Sequence, residues 1–209
     1  MGMVDDIRLW WNIITNPGKY AGKQMSIGSA LKLYYEASII PLILSLIVGL
    51  PIASHGMSLM PFTSIFISSG VMLALVLSII VSLWIIIPIF IFINAFIYHL
   101  IGKYVLNAWG KEYDKTFVAT LFGALPQLLL YWLLAIPVID IFAIIVIFVW
   151  GTIVLIASLA LQQKTTRVNA FVTLIASGFF TLIIAMILIS LLYLQAAPIA
   201  GYRYPMMYP

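Results

Sequence analysis

The chain contains no cysteine. That excludes disulfides, thiolate catalysis, thiolate metal ligands and palmitoyl anchors, and it leaves the redox compartment open. Charge is almost as scarce. Asp, Glu, Lys and Arg make up 8% of the 209 residues, against about 25% in a soluble domain. Between Glu36 and Lys103 there is none at all. Only two histidines occur, His55 and His99, and the topology below places them on opposite sides of a membrane, which argues against zinc. No glycine-rich phosphate loop, His-Glu-x-x-His or Gly-x-Ser-x-Gly stretch is present, so no catalytic set and no cofactor is expected.

What fills the chain is apolar sequence. Hydrophobic residues are 65% of the total and the mean hydropathy is +1.19. This describes an all-α polytopic membrane protein, a bundle of five transmembrane helices with a short N-terminal interfacial helix. The expected organisation is a cytoplasmic interfacial segment over 1–29, a five-helix transmembrane domain over 30–195 and a short extracytoplasmic tail over 196–209. The opening carries Asp5 and Asp6 and no apolar run, so no cleavable signal sequence is expected.

Residues 3–15 place Val4, Ile7, Trp10, Trp11 and Ile14 on one helical side, the pattern of a helix lying in the interface with its tryptophans at headgroup depth. Asn16-Pro17-Gly18 ends it. The spans are expected at Ala30–Ala53, Ser69–Ile101, Thr116–Ile136, Asp140–Leu161 and Val168–Leu194. An uncharged link from Ser54 to Ile67, holding His55 and Pro61, joins the first two. Lys32 and Glu36 are spaced to pair on a helix surface. Span two is longer than a hydrocarbon core of about 30 Å requires, so it must tilt, extend into the headgroups or bend at Pro88. Asp140, after a turn at Pro137, stands where an N-cap for span four belongs.

Small residues recur every fourth position on two spans: Gly70, Ala74, Ser78 and Ser82 on span two, then Thr173, Ser177, Thr181 and Ala185 on span five. Helices in lipid gain by close approach, so both ridges are read as packing seams, against each other or against other helices, with a permeation path as the alternative. Loop charge orients the bundle. Arg8, Lys19, Lys23, Lys32, Lys103, Lys111, Lys115, Lys164 and Arg167 fall on one side and only Arg203 on the other, which puts the N-terminus in the cytoplasm and the C-terminus outside. The net charge of +4 lies in the loops and addresses anionic headgroups rather than nucleic acid.

The polar residues carried into the membrane are the candidate site. Asn94 and Tyr98 share a face of span two, and His99 lies about 100° further round. Gln127 follows Pro126, which frees a carbonyl one turn earlier and makes a kink or a hinge. With Lys103, Lys111 and Lys115 of the adjoining basic turn, these are the candidate contacts for a partner or a lipid. The alternative is interhelical hydrogen bonding with no ligand.

Asn16-Pro17-Gly18-Lys19-Tyr20, Asn94-Ala95-Phe96-Ile97-Tyr98-His99-Leu100, and the re-entry from Thr116-Phe117-Val118-Ala119 to Pro126 together resemble the Yip1-domain family. The five-span layout and compact cytoplasmic turns add to the resemblance, which covers most of residues 12–193. It implies a small membrane scaffold with a cytoplasmic N-terminus, and it looks more like the short prokaryotic members. Eukaryotic relatives are associated with small GTPases, vesicle traffic and membrane shaping. Their Asp-Leu-x-Gly-Pro stretch is missing here, so small GTPase binding is not carried over. The functional expectation is a non-enzymatic scaffold that binds membrane lipids, other membrane proteins or itself. The alternatives are a transporter or channel lined by Asn94, Tyr98, His99 and Gln127, and an accessory subunit of a larger membrane complex. The membrane is the plasma membrane for a prokaryotic chain, or the endoplasmic reticulum and Golgi otherwise.

Overall fold

The computed structural model describes residues 3–58, 69–136 and 139–201, with the side chains at 3, 49–50, 52–73, 75, 135 and 192–201 outside the description. Pro61, Pro137 and the end of the expected tail therefore lie outside the described residues. Every regular element among the described residues is helical. In order these are α1 (Met3–Thr15), α2 (Pro17–Tyr20), α3 (Ile27–Ser58), α4 (Ser69–Val81), α5 (Ile87–Leu100), α6 (Tyr113–Leu130), α7 (Ile139–Gln163) and α8 (Arg167–Gly201).

Five stretches are long and apolar enough to cross a membrane: Ile27–Val48, Val76–Val105, Tyr113–Leu134, Ile139–Gln163 and Arg167–Leu191. The chain is thus an all-α bundle suited to a membrane. Boundaries shift from expectation in three places. α3 runs through Pro41 and Pro51 into the link expected from Ser54, and α8 continues to Gly201 in the expected tail. Span two ends in a wide turn at Val105 rather than at Ile101.

The bundle is built around α6. Helices α3, α5 and α7 pack on it, and α8 lies outside against α7. Half of the most apolar window of the α6 span is buried, against 11% for spans two and five. The buried face of α6 holds Phe117, Val118, Leu121, Phe122, Leu125 and Leu128. Gly123 permits its contact with α7, because a Cβ there would come within 2.7 Å of the Leu155 side chain. Pro126 does not end α6, which continues to Leu130 before a short 3₁₀ segment at Tyr131–Ala135.

Span two solves its length problem at Pro88. Residues Ser82–Ile86 form a π-turn between α4 and α5, and the Ile87 amide donates five residues back to the Ser82 carbonyl. Pro88 has no N–H to offer, so the Leu83 carbonyl loses its helical donor. The Tyr34 hydroxyl of α3 replaces it at 2.8 Å, in a buried contact. Tyr35 donates to the Trp84 carbonyl at 3.3 Å, and the Trp84 indole donates to Ser38 Oγ at 3.0 Å. A polar clasp from α3 thus holds the irregular turn, as non-helical backbone in a membrane requires.

α1 is not simply laid on the interface. Leu9, Trp10, Ile13 and Ile14 are buried in the same core as α3 and α6. Val4 and Trp11 point outward, 71% and 52% exposed. The apolar strip that meets the protein is therefore rotated from the one expected, and only Trp11 of the pair is available at headgroup depth. The Trp150 indole secures the end of the helix by donating to the Ile14 carbonyl at 3.1 Å. At its start, Lys32 joins Asp6 (2.7 Å) as well as the expected Glu36 (3.0 Å). The Lys32 hydrogen bond holds the Asp6 carboxyl below the usual carboxylate range.

Candidate functional site

Two matched stripes face one another between spans two and three. On span two, Ile87, Ile91, Asn94 and Tyr98 follow the i, i+4, i+7, i+11 spacing of one helical face. On α6, Thr116, Thr120, Gly123 and Gln127 do the same. All of these but Thr116, together with Leu155 of α7, line a cleft of about 270 Å³ bordered by Asn94, Tyr98, Thr120, Gly123 and Gln127. Phe90, 59% exposed, stands at its edge, so the cleft opens sideways toward the membrane. No charged residue among those described lines it.

The polar groups in the cleft are unevenly satisfied. The Asn94 amide donates to the Phe90 carbonyl of its own helix at 2.8 Å, which leaves its oxygen free to accept. Thr120 donates to the Thr116 carbonyl at 2.8 Å. The Tyr98 hydroxyl and the Gln127 amide have no hydrogen-bond partner among the described residues. Polar groups at membrane depth are costly unless paired, so these two are the notable ones.

His99 lies outside this cleft. Its Nδ1 is 2.9 Å from Thr116 Oγ1, which also accepts the Gln163 amide at 2.7 Å. All three side chains are buried. Thr116 Oγ1 thus accepts from the Gln163 amide and shares a second hydrogen bond with Nδ1, whose direction follows the tautomer of the imidazole. Tyr113 and Tyr104 stand edge-on to the ring, 5.7 and 6.4 Å between centroids. This network joins spans two, three and four, and Gln163 Oε1 is left without a partner.

The three lysines of the turn do not converge. Lys103 folds over Tyr104 with its ammonium 5.5 Å from the ring centre, Lys111 is exposed, and Lys115 pairs with Asp114 at 3.1 Å. The turn itself is tightly made. Leu106 and Ala108 donate to the Ile101 and Gly102 carbonyls, and Asn107 takes a left-handed φ of 49°. Trp109 is buried across Gly102 so closely that any Cβ there would overlap its ring. Thr165, at the α7–α8 turn, donates to the Ala108 carbonyl at 2.9 Å.

The small-residue ridges are placed differently from one another. Thr173 and Ser177 are buried while Thr181 is exposed. On span two, Ala74 and Ser78 are exposed and Ser82 is half-buried, with Gly70 in the first turn of α4. α8 packs mainly along α7 and the Ile87–Val105 part of span two, so among the described residues the ridge on span two is not an internal seam against span five. Asp140 sits inside the first turn of α7 rather than before it, yet its carboxylate accepts the Ile141 amide at 2.8 Å.

Of the candidates named from the sequence, the structure brings Asn94, Tyr98 and Gln127 to one cleft; Thr116, Thr120, Gly123 and Gln163 were not among those candidates. The signal for the first three was present in the polar and small positions of α6 at helical spacing with Gln127. Nothing marked Gln163, which stands among residues with no period of their own. At the other end of the same helix turn, Gln162 donates to the Ala21 and Lys23 carbonyls, both at 2.8 Å, and so anchors α2 to α7. Among the described residues no group of His, Asp and Glu is arranged to hold a metal. The chain matches no model of a known protein family, no characterised protein and no solved structure.

Proposed function

We propose that this protein is a non-enzymatic membrane scaffold that holds a lipid or another membrane protein at the cleft between spans two and three, with its N-terminus in the cytoplasm. One observation carries the reading: among the described residues the Tyr98 hydroxyl and the Gln127 amide have no hydrogen-bond partner, at a cleft that opens toward the bilayer. Groups that serve only to join helices find partners on the neighbouring helix, as His99, Thr116 and Gln163 do. The exposed Ala74 and Ser78 add a surface on which a second helix can approach closely. The resemblance to the Yip1-domain family, with its short cytoplasmic turn between spans two and three, points the same way.

The test is purification in native membrane discs followed by mass spectrometry of what remains bound. A selective lipid or a membrane protein should co-purify with the wild type and be depleted with Tyr98→Phe/Gln127→Leu. A clean monomer with neither would overturn the reading. The polar stripe from Gln127 to Tyr98 also favours a rival, a small-solute path. Flux into liposomes that falls with Asn94→Leu would support it, and the absence of flux would remove it.

A further inference from the structure

The cleft also specifies what kind of molecule it takes, an argument that rests on the scaffold reading above. We infer that it receives an uncharged glycerolipid, a diacylglycerol, whose free hydroxyl and ester carbonyls enter between spans two and three while the acyl chains stay in the bilayer. Charge is the first ground. Among the described residues no Lys, Arg, Asp or Glu lines the cleft. The nearest cations of the turn are engaged, Lys103 over Tyr104 and Lys115 with Asp114. A phosphate placed there would be desolvated without a counter-charge, which costs far more than burying a hydroxyl or an ester.

Depth is the second ground. Tyr98 lies about 10 Å, and Asn94 about 16 Å, along the helix from Val105 at the end of the span. Those positions are below the headgroup plane of a core about 30 Å thick. A lipid without a phosphate can sink to that level, whereas one with a phosphate is held at the surface by its hydration. Capacity is the third. The volume of about 270 Å³ is several times the share of one water, about 30 Å³, and just below the usual range of ligand sites, about 300–1,000 Å³. It fits a glycerol unit with its esters rather than a whole lipid.

The hydrogen-bond inventory completes the match. Tyr98 offers one donor and Gln127 two, while the Asn94 oxygen is left to accept. Diacylglycerol presents two ester carbonyls to the donors and one hydroxyl to the acceptor. Phe90, Ile91 and Leu155 supply apolar wall for the first carbons of the chains.

The experiment uses the full chain in phosphatidylcholine nanodiscs with a diacylglycerol carrying a photoreactive acyl chain. Dioleoylglycerol and dioleoyl phosphatidate, identical in their chains, serve as competitors. Cross-links should fall on peptides covering 87–98 and 120–127, and dioleoylglycerol should compete at least tenfold better than phosphatidate. Gln127→Leu/Tyr98→Phe should lower cross-linking about tenfold, and Leu155→Phe should do so by filling the cleft from its apolar side. Gln24→Ala, at the remote α2–α7 contact, should leave it unchanged. Using two different ways of blocking the cleft, each checked for a monodisperse protein, separates loss of ligand from loss of fold. Equal or better competition by phosphatidate, unsaturable labelling of a merely hydrated cleft, or labelling untouched by both variants would overturn the inference. A membrane protein or charged lipid that co-purifies while dioleoylglycerol fails leaves the scaffold standing and removes only its neutral ligand.

Discussion

The Tyr34 hydroxyl donates to the Leu83 carbonyl at 2.8 Å, and in doing so stands in for an amide that Pro88 lacks. The bond joins the first span to an irregular turn in the second, where the backbone has no other donor to use. Removing it should expose the size of that debt. Tyr34→Phe leaves a buried carbonyl unpaired, so stability should fall by about 1–3 kcal/mol, measured by thermal or denaturant unfolding in bicelles. Tyr35→Phe, at a longer and more exposed contact of 3.3 Å, should cost less. Restoring a donor with Pro88→Ala should shrink the Tyr34→Phe effect, and equal effects in both backgrounds would show that the π-turn does not depend on the tyrosine.

Gly102 and Trp109 make a second close relationship. Gly102→Ala should push the indole out of its seat and destabilise the turn between spans two and three by about 1–3 kcal/mol. In a Trp109→Ala background the same substitution should be nearly silent, because the clash is gone. Unfolding of the four proteins in one detergent measures this, and additive effects would contradict the packing described.

The His99–Thr116–Gln163 network should respond to the loss of its shared hydroxyl. Thr116→Val removes the partner of both other side chains and should lower stability by about 1–3 kcal/mol, whereas Thr116→Ser keeps the hydroxyl and should be milder. His99→Leu combined with Thr116→Val should cost less than the sum of the singles, since one bond is then removed only once.

Docking of α1 should depend on acid in one direction. The Asp6 carboxyl titrates below its ordinary range because Lys32 donates to it. A group lowered by folding adds stability that is complete above its unfolded pKa, about 3.9, and is lost as pH falls through the folded value. A spin label at Thr15→Cys, unique in a chain without cysteine, should therefore keep constant mobility from neutral pH to about 4 and loosen below it. With Asp6→Asn the acid dependence should flatten.

The proposed orientation can be read with a single cysteine at the turn between spans two and three. Gly110 is exposed and has open space around it. Gly110→Cys should react with an impermeant maleimide in inside-out vesicles and not in intact cells. The reverse pattern would invert the bundle.

How much of this was legible beforehand follows from what single residues reveal. The five spans were, because apolar composition is a property of each stretch alone. Asn94, Tyr98 and Gln127 stood out because a polar side chain inside an apolar run needs a reason. Their partners did not. Whether Tyr98 or its neighbour His99 meets Thr116 depends on the rotation of α5 against α6, which no local pattern encodes. The ridge of Ala74 and Ser78 left its partner open for a related reason: small residues mark where a helix can approach, not which helix arrives. In α1, the choice of buried strip was decided by the groove between α3 and α6 rather than by its own periodicity. The π-turn was half visible, since Pro88 announced a break but not the tyrosine that mends it.

The most greasy rod of this protein, span two, is among its least buried, and the best-buried rod, α6, is less apolar than spans two, four and five. During synthesis α6 has a weaker claim on lipid than the segments on either side of it. It is the piece most dependent on company, and its settled place in the bilayer must wait until α7 has emerged to close round Gly123. A ribosome stalled between those two segments would hold the molecule at the moment when its centre is least at home.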